Sequence, residues 1–335
     1  MAAFLKKIFK IFKKDKLHTD CKYISKSIYF DYKNNIRLCP YTDFGLIEQN
    51  FDGIWLDINK LKEQRNNCIN KILSEEIISE CSKCVFFEQN DKPIKNTLKY
   101  VYLAHWKFCS LNCSYCEYPK NDNFIEAKHY DILPAIKQLI DAGLINTNTT
   151  FIFECGDACA HPEFDKLIYF LLNYECKNII VKTSGMRFCQ SVADIIARNQ
   201  GEVHISFDSG TRFMYEKIKK LDKFNDAIQT VKRYAAYQLP KGKRVTLSYR
   251  MLNSINDNEK ELLDWFILAK DLNIHKLTFE IDDKWYNSVR HSVPKYLKDI
   301  VTFVKSMADY NNIELEFGAC ADTVYKLIRQ EENSK

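Results

Sequence analysis

The chain has 335 residues, 46% hydrophobic and 28% charged, the balance of an ordinary globular protein. Its net charge is +5, but residues 1–20 alone hold six lysines (Lys6, Lys7, Lys10, Lys13, Lys14 and Lys16) against Asp15 and Asp20. The remainder is close to neutral, which excludes a broad nucleic-acid-binding surface. No apolar run approaches the length of about 18 residues that a membrane-spanning helix needs, and the total suits one large α/β domain with a small satellite.

Thirteen cysteines are many for a chain with no secretory signal at its start. Their clustering reads as metal ligation in a reducing, cytoplasmic setting rather than as a disulfide framework. Taken in chain order, residues 1–20 form a basic amphipathic segment. Phe4, Leu5, Ile8, Ile11 and Phe12 share one helical face and lysines fill the other. That pattern suits peripheral contact, through residues 4–14, with an anionic membrane's inner face; the plainer readings are a helix docked on the protein itself or a frayed basic terminus.

Residues 21–96 read as a small cysteine-rich module. Ser27–Tyr32 and Ile36–Leu38 flank a polar turn and predict a hairpin, Ile58–Ile78 predicts a helix, and Asn90–Pro93 predicts a linker. From residue 97 strand-like and helical runs alternate. Strands are expected at 100–105, 149–154, 178–182, 202–207, 244–251, 276–281 and 314–317. Helices are expected at 131–143, 163–173, 190–199, 212–238, 257–272 and 294–310. The alternation predicts a parallel sheet with crossover helices, closed into a partial (β/α)6 TIM-like barrel over residues 97–320, with 321–335 as a C-terminal tail.

The loop after the first barrel strand reads Phe108-Cys109-Ser110-Leu111-Asn112-Cys113-Ser114-Tyr115-Cys116. A 4Fe–4S cluster normally takes four thiolates, so three on one loop leave one iron open to another ligand. A structural zinc site, by contrast, wants four closed ligands. Cysteine-x3-cysteine-x2-cysteine after a β-strand resembles the radical S-adenosylmethionine superfamily. The resemblance implies that the open iron chelates S-adenosylmethionine. One electron then cleaves it to methionine and a 5′-deoxyadenosyl radical, which takes a hydrogen atom from substrate.

The resemblance runs over residues 98–317. Glu154-Cys155-Gly156-Asp157, followed by His161-Pro162-Glu163, stands where the family has Gly-Gly-Glu-Pro. It implies that Gly156 and Asp157 bind the methionyl amino group, with Cys155 replacing the first glycine. Thr183 and Ser184 resemble the family's Thr-Asn-Gly turn. Ser206 and Asp208 resemble its Ser-Leu-Asp segment and would contact ribose or carboxylate. Arg250 would pair with the methionyl carboxylate, and Tyr115 resembles the aromatic that packs near adenine. Each feature alone also reads as a strand cap or surface pair. Trp106 and Trp285 read as pocket walls or core.

Upstream, Cys21, Cys39, Cys81 and Cys84 resemble the ligand set of the SPASM and twitch auxiliary-cluster modules, with Asn34 in the position of a glycine. Phe44-Gly45-Leu46-Ile47 and Ile54-Trp55 resemble further segments of those modules. The module here precedes the barrel instead of following it. A second, auxiliary 4Fe–4S cluster is the implied occupant, and a four-thiolate structural zinc is the rival. Of the remaining cysteines, Cys320 is a candidate for returning a hydrogen atom to substrate, and Glu280 a candidate base. The expected reaction is oxidation, epimerisation or crosslinking of a sugar or a peptide. No appended peptide-recognition domain is seen, which favours a small carbohydrate. A flavodoxin or ferredoxin would supply electrons. The alternative is a zinc-held binding or scaffold protein without radical chemistry.

Overall fold

The structure, a computed structural model, describes residues 18–21, 23–74, 81, 84, 87–90, 96–116, 130–239 and 244–333. The amphipathic segment 4–14 and most of the expected linker at 90–93 lie outside these residues. The chain divides into two compact units. One comprises Met1–Tyr102 with Tyr130–Thr149, the other Leu103–His129 with Thr150–Lys335.

In the first unit, β1 (His18–Cys21) pairs antiparallel with β5 (Phe87–Asn90). Strands β2 (Ser27–Asp31) and β3 (Ile36–Arg37) form the expected hairpin, and β4 (Leu46–Glu48) pairs with β3. The Asp31 carboxylate organises the turn. It accepts from the Lys33 and Asn35 N–H groups at 2.8 and 2.9 Å and from Arg37 Nε at 2.9 Å. Between them Asn34 takes φ 60°, the left-handed conformation that Asn tolerates better than most residues. Helix α1 (Ile58–Leu73) is capped by Asp57, whose side chain accepts from the Asn59 and Lys60 N–H groups. Helix α2 (Leu133–Asp141) was expected within the barrel alternation but lies in this unit. The reason is Gln138, which bonds Ile54 O at 2.8 Å and Leu56 N at 3.0 Å and so ties α2 to the segment before α1.

The strand β6 (Tyr100–Ala104) carries the chain across the boundary. The second unit then alternates β7 (Thr150–Phe153), α3 (Phe164–Asn173), β8 (Asn178–Thr183), α4 (Gln190–Ala197), β9 (Gly201–Ser206), α5 (Arg212–Lys219), α6 (Phe224–Ala235), β10 (Val245–Met251), α7 (Glu259–Asp271), β11 (Lys276–Ile281), α8 (Asp283–Val289), α9 (Lys295–Tyr310), β12 (Glu314–Phe317) and α10 (Ala319–Asn333). The strand order is β12-β11-β10-β9-β8-β7-β6, and the registered pairs from β7 to β12 are all parallel. This is the expected mixed α/β architecture with a parallel sheet of partial-barrel type. Ile179, Val181, Val203, Ile205, Leu247 and Phe279 are fully buried along its strands.

Two segments differ from the expectation. The single helix at 212–238 is two, because Lys220 turns left-handed at φ 62°. A continuous helix would consume the carbonyls of Ile218 and Lys219 internally. Here they accept from the Ser114 and Asn112 N–H groups at 2.8 and 3.2 Å instead. In the segment expected as a tail, the described residues up to Asn333 belong to α10, with Ala321 and Val324 buried. At the N-terminal ends of the strands, Glu202 binds Lys276 and His204 at 2.9 and 3.0 Å. Burial would raise its pKa, but these two partners hold it down to about 2.

Candidate active site

The site lies wholly within the second unit, beyond the C-terminal ends of the parallel strands, where barrel enzymes place their chemistry. The loop of Cys109, Cys113 and Cys116 follows β6. Its two N–H anchors to α5 fix the stretch from Asn112 to Ser114, and the Cys116 N–H closes a turn on Cys113 O at 3.1 Å. All three thiols are half-buried. Burial pushes Cys109 up to about 12, with Asp157, Cys113 and Cys116 adding to it. Burial also raises Cys113, with Lys219 opposing and Asp208 and Cys116 reinforcing. The loop is bracketed by two acids, Asp157, bonded through its N–H to Phe108 O, and Asp208, bonded to Tyr115 Oη.

Gly156 and Asp157 brace the loop from the β7 side. A Cβ on Gly156 would stand 2.4 Å from Phe108 O, so no other residue fits there. The Asp157 N–H donates to the same Phe108 oxygen at 2.6 Å. Cys155 itself adopts φ 73°, costing about 1–2 kcal/mol for a residue with a Cβ. The space requirement thus falls on the second position of the pair, and the first accepts cysteine. The buried Asp157 carboxylate receives Thr183 Oγ1 at 2.7 Å on one oxygen and Ser184 Oγ at 2.5 Å on the other. Thr183 and Ser184, read from sequence as separate ligand contacts, hold this acid in place.

Asp208 is the second hub. It takes φ 62° just past β9. Its carboxylate accepts from Tyr115 Oη at 2.6 Å, Lys219 Nζ at 2.5 Å and Arg250 N at 2.8 Å. Lys219 and Asp208 are 1% and 2% exposed. Burial alone would lower the Lys219 pKa, but Asp208 and Cys113 more than offset it, so the group remains an ammonium. Asn256, fully buried, bonds the main-chain oxygens of Asp208 and Arg250 and so joins β9 to β10. The sequence offered no signal for Lys219. It sits in the run Lys217-Ile218-Lys219-Lys220, which looks like cations at a helix C-terminus. Replacing it with methionine leaves Asp208 buried and uncompensated. Lys219→Met is expected to lose about 3–5 kcal/mol of stability, measured by denaturant unfolding of the metal-free protein.

Farther along the rim, Arg250 pairs with Glu280 at 3.0 Å, and its guanidinium carbon lies 5.3 Å from the Tyr115 ring centre. Cys320 Sγ donates to Asp283 Oδ1 at 3.3 Å. Burial, Asp283 and Glu280 all raise its pKa, so it is a thiol at neutral pH. Ser206 is half-buried at the end of β9 and enters none of these hubs. Cys159, Cys176 and Cys189 are buried among the helices, as small apolar residues are.

Residues 103–266, which contain the cysteine loop, Asp157, Asp208 and Arg250, match the family described as the Radical SAM superfamily. Residues 103–266 are a radical SAM domain. No curated protein matches the chain. Among solved structures it is similar to Streptococcus suis SuiB bound to precursor peptide SuiA, at 12% identity and TM-score 0.54, over 81% of this chain and 56% of SuiB. It is also similar to anSMEcpe with bound AdoMet (16%, TM-score 0.48, 65% and 63%) and to a radical SAM methyltransferase from Sphaerobacter thermophilus (15%, TM-score 0.42, 63% and 63%). The likeness to SuiB is one of fold, and the chain spans just over half of SuiB's length.

Radical SAM chemistry uses a 4Fe–4S cluster and S-adenosylmethionine, and the donor set of this domain fits both. Three thiols share one loop, and the Leu111 N–H points at Cys109 Sγ from 3.5 Å, as thiolate ligation favours. Among the described residues no three His, Cys, Asp or Glu side chains converge on a single-ion position. In the first unit, Cys21, Cys39 and Cys81 are buried and Cys84 is half-buried. Burial raises Cys21 to about 11, with the Ile24 and Tyr23 N–H groups opposing and Cys39 and Cys84 reinforcing. Cys81 O accepts from the Cys84 N–H at 3.0 Å. Cys68 instead donates to Phe44 O at 3.4 Å.

Proposed function

We propose that this chain cleaves S-adenosylmethionine reductively and abstracts a hydrogen atom from an organic substrate, a sugar or a peptide. The observation that carries the reading is the cysteine loop flanked by two buried carboxylates, Asp157, whose N–H bonds Phe108 O at 2.6 Å just before Cys109, and Asp208, which accepts from Tyr115 Oη at 2.6 Å just before Cys116. The cluster, when bound, supplies the electron and the open iron. Asp157, held by two hydroxyl donors, is the acceptor for the methionyl ammonium. Tyr115, fixed by Asp208 and stacked near Arg250, offers its ring to adenine. Arg250 is the partner for the methionyl carboxylate, with Glu280 holding it meanwhile. SuiB's structure holds a precursor peptide, which keeps a peptide side chain as a substrate class beside the carbohydrate that the sequence favours. The test is anaerobic reconstitution followed by dithionite and S-adenosylmethionine. Release of 5′-deoxyadenosine supports the reading. A colourless, zinc-bound protein that releases none overturns it in favour of a zinc-held scaffold.

One observation favours a hydrogen-return reaction over net oxidation. Cys320 is kept protonated by burial, with Asp283 and Glu280 adding to it; a thiol carries the hydrogen atom that a substrate radical can take, and one electron from the reductant together with one proton would restore the thiol from the thiyl radical left behind. Cys320→Ala is then expected to leave 5′-deoxyadenosine formation intact while epimerised product falls at least tenfold. Product yield unchanged in deuterated solvent, with no solvent deuterium incorporated, would remove Cys320 from the reaction. Glu280 then stands as the base for an oxidation.

A further inference from the structure

The two faces of the parallel sheet in the second unit differ in chemistry. One packs on the helices. The Tyr249 ring on β10 lies 4.9 Å from the Trp265 ring of α7, and its partner in register, Phe279 on β11, shares that side. Side chains alternate along a strand, so the residues between these point the other way, into the partial barrel. There the strand register sets up rows. His204, Thr246 and Lys276 form the lowest, Ser206, Ser248 and Thr278 the next, and Arg250 with Glu280 the one nearest the active-site rim. A closed barrel fills such layers with bulky apolar side chains. Here every position in these rows is polar.

The charges answer one another. Lys276 pairs with Glu202 at 2.9 Å and Arg250 with Glu280 at 3.0 Å. Two of the hydroxyls do not. Thr278 is 5% exposed and Thr246 is inaccessible, and among the described residues neither hydroxyl has a hydrogen-bond partner. Valine suits a β-strand as well and fills the same space, without the destabilising cost of an unpaired buried hydroxyl. Two such groups on one face of adjacent strands call for something to bond them. Thr278 lies in the row directly beneath Arg250 and Glu280, with the half-buried Ser248 beside it.

We infer that Ser248 and Thr278 bind substrate beneath the rim, and that the substrate they take is polyhydroxylated, a carbohydrate rather than a peptide side chain. This rests on the reading that the second unit cleaves S-adenosylmethionine to a radical. A sugar hydroxyl donates and accepts, as Ser and Thr hydroxyls do, so neighbouring sugar hydroxyls can satisfy both residues at once. Strands lie about 4.8 Å apart, so the row from Ser206 to Thr278 runs about 10 Å, with Ser206 on the side of Asp208, where ribose is expected. An apolar side chain would leave the Thr278 hydroxyl unpaired, and a site built to bond hydroxyls rejects a ligand that lacks them.

The test follows the hydrogen atom. Cells that make this chain are grown in heavy water, and their extract is separated into a carbohydrate fraction, of sugar nucleotides and oligosaccharides, and a polypeptide fraction. Each is offered to the reconstituted full chain with dithionite and S-adenosylmethionine. Abstraction moves a deuterium atom from a substrate carbon to the 5′ carbon, and mass spectrometry of the released 5′-deoxyadenosine reads it. Deuterium from the carbohydrate fraction, lost when vicinal diols are first cleaved with periodate, is the expected result. In Thr278→Val the fraction of 5′-deoxyadenosine that carries deuterium should fall about tenfold at limiting substrate, the loss of one hydrogen bond, and Thr278→Ser should restore it. The metal-free Thr278→Val chain should unfold at the wild-type denaturant concentration or above, because an unpaired hydroxyl is removed. Lower stability marks a hydroxyl paired within the fold and overturns the assignment, as does an unchanged deuterium fraction. Ser248→Ala gives the same readout if Thr278→Val fails to load a cluster. Deuterium from the polypeptide fraction alone, or from neither fraction, overturns the substrate class. A chain that releases no 5′-deoxyadenosine overturns the radical reading beneath it instead.

Discussion

Replacing Cys109, Cys113 and Cys116 together with alanine is expected to remove about four irons per chain and to reduce 5′-deoxyadenosine release to background. The two losses should be complete together, because an open iron exists only while three thiolates hold the other three. The fold should survive. The loop is fixed by main-chain bonds from Asn112 and Ser114 to α5, and by the close seat of Gly156 under Phe108, none of which involves a thiol. Burial raises Cys109 and Cys113, so in the metal-free chain these are neutral, half-buried thiols, and alanine replaces them at the cost of small cavities only. Unchanged circular dichroism with iron and product both lost is the expected pattern. Retained cleavage activity in the triple variant would show that the electron reaches S-adenosylmethionine from somewhere other than this loop.

The parts of the site that could be read from sequence are those in which one residue type is demanded by one piece of chemistry. Thiolates for iron, a carboxylate for an ammonium and a glycine where a carbonyl approaches within bond distance all announce themselves by type and spacing. Strand positions in the second unit were legible for a related reason. Parallel strands buried on both faces, such as Phe151–Phe153 and Val203–Ile205, leave short apolar runs between amphipathic helices. What stayed hidden depends on three-dimensional neighbours. Lys219 looks like an ordinary solvated cation until α5 is placed against the cysteine loop and Asp208. The break at Lys220 was invisible because its cause is the demand of Asn112 and Ser114, some hundred residues earlier, for two helix carbonyls. Helix α2 was assigned to the barrel because its period matched, and contacts far along the chain move it to the other unit: Gln138 to Ile54 and Leu56, Leu98 N to Leu144 O, and Tyr130 against Phe51.

The cysteine quartet of the first unit carries the second large prediction. We propose that the quartet holds the second 4Fe–4S cluster that the sequence resemblance implies; on that proposal Cys81→Ser with Cys84→Ser is expected to lower the iron content from about eight to about four per chain, to leave 5′-deoxyadenosine release near the wild-type level, and to abolish conversion of substrate. The local structure supports the proposal: Cys21, Cys39 and Cys81 are buried, the Tyr41 N–H donates to Cys39 Sγ at 3.5 Å, and Cys81 and Cys84 share one turn. Gly45 admits the close return of the chain beside Cys39, where a Cβ would stand 3.0 Å from its nitrogen. Metal binding in such a unit is also folding free energy, so the double variant should unfold the first unit more readily. Cleavage of S-adenosylmethionine reports on the second unit and separates this loss from general damage. A cluster closed by four protein thiolates has no iron free for S-adenosylmethionine, so its contribution falls on electron transfer: in the hydrogen-return reaction it passes on the electron that, with a proton, restores the Cys320 thiol from its thiyl radical, and in an oxidation it takes the electron of the substrate radical. Unchanged substrate turnover in the double variant would reduce the quartet to a structural clamp. Zinc, lost by the variant in place of iron, would identify the metal in that clamp.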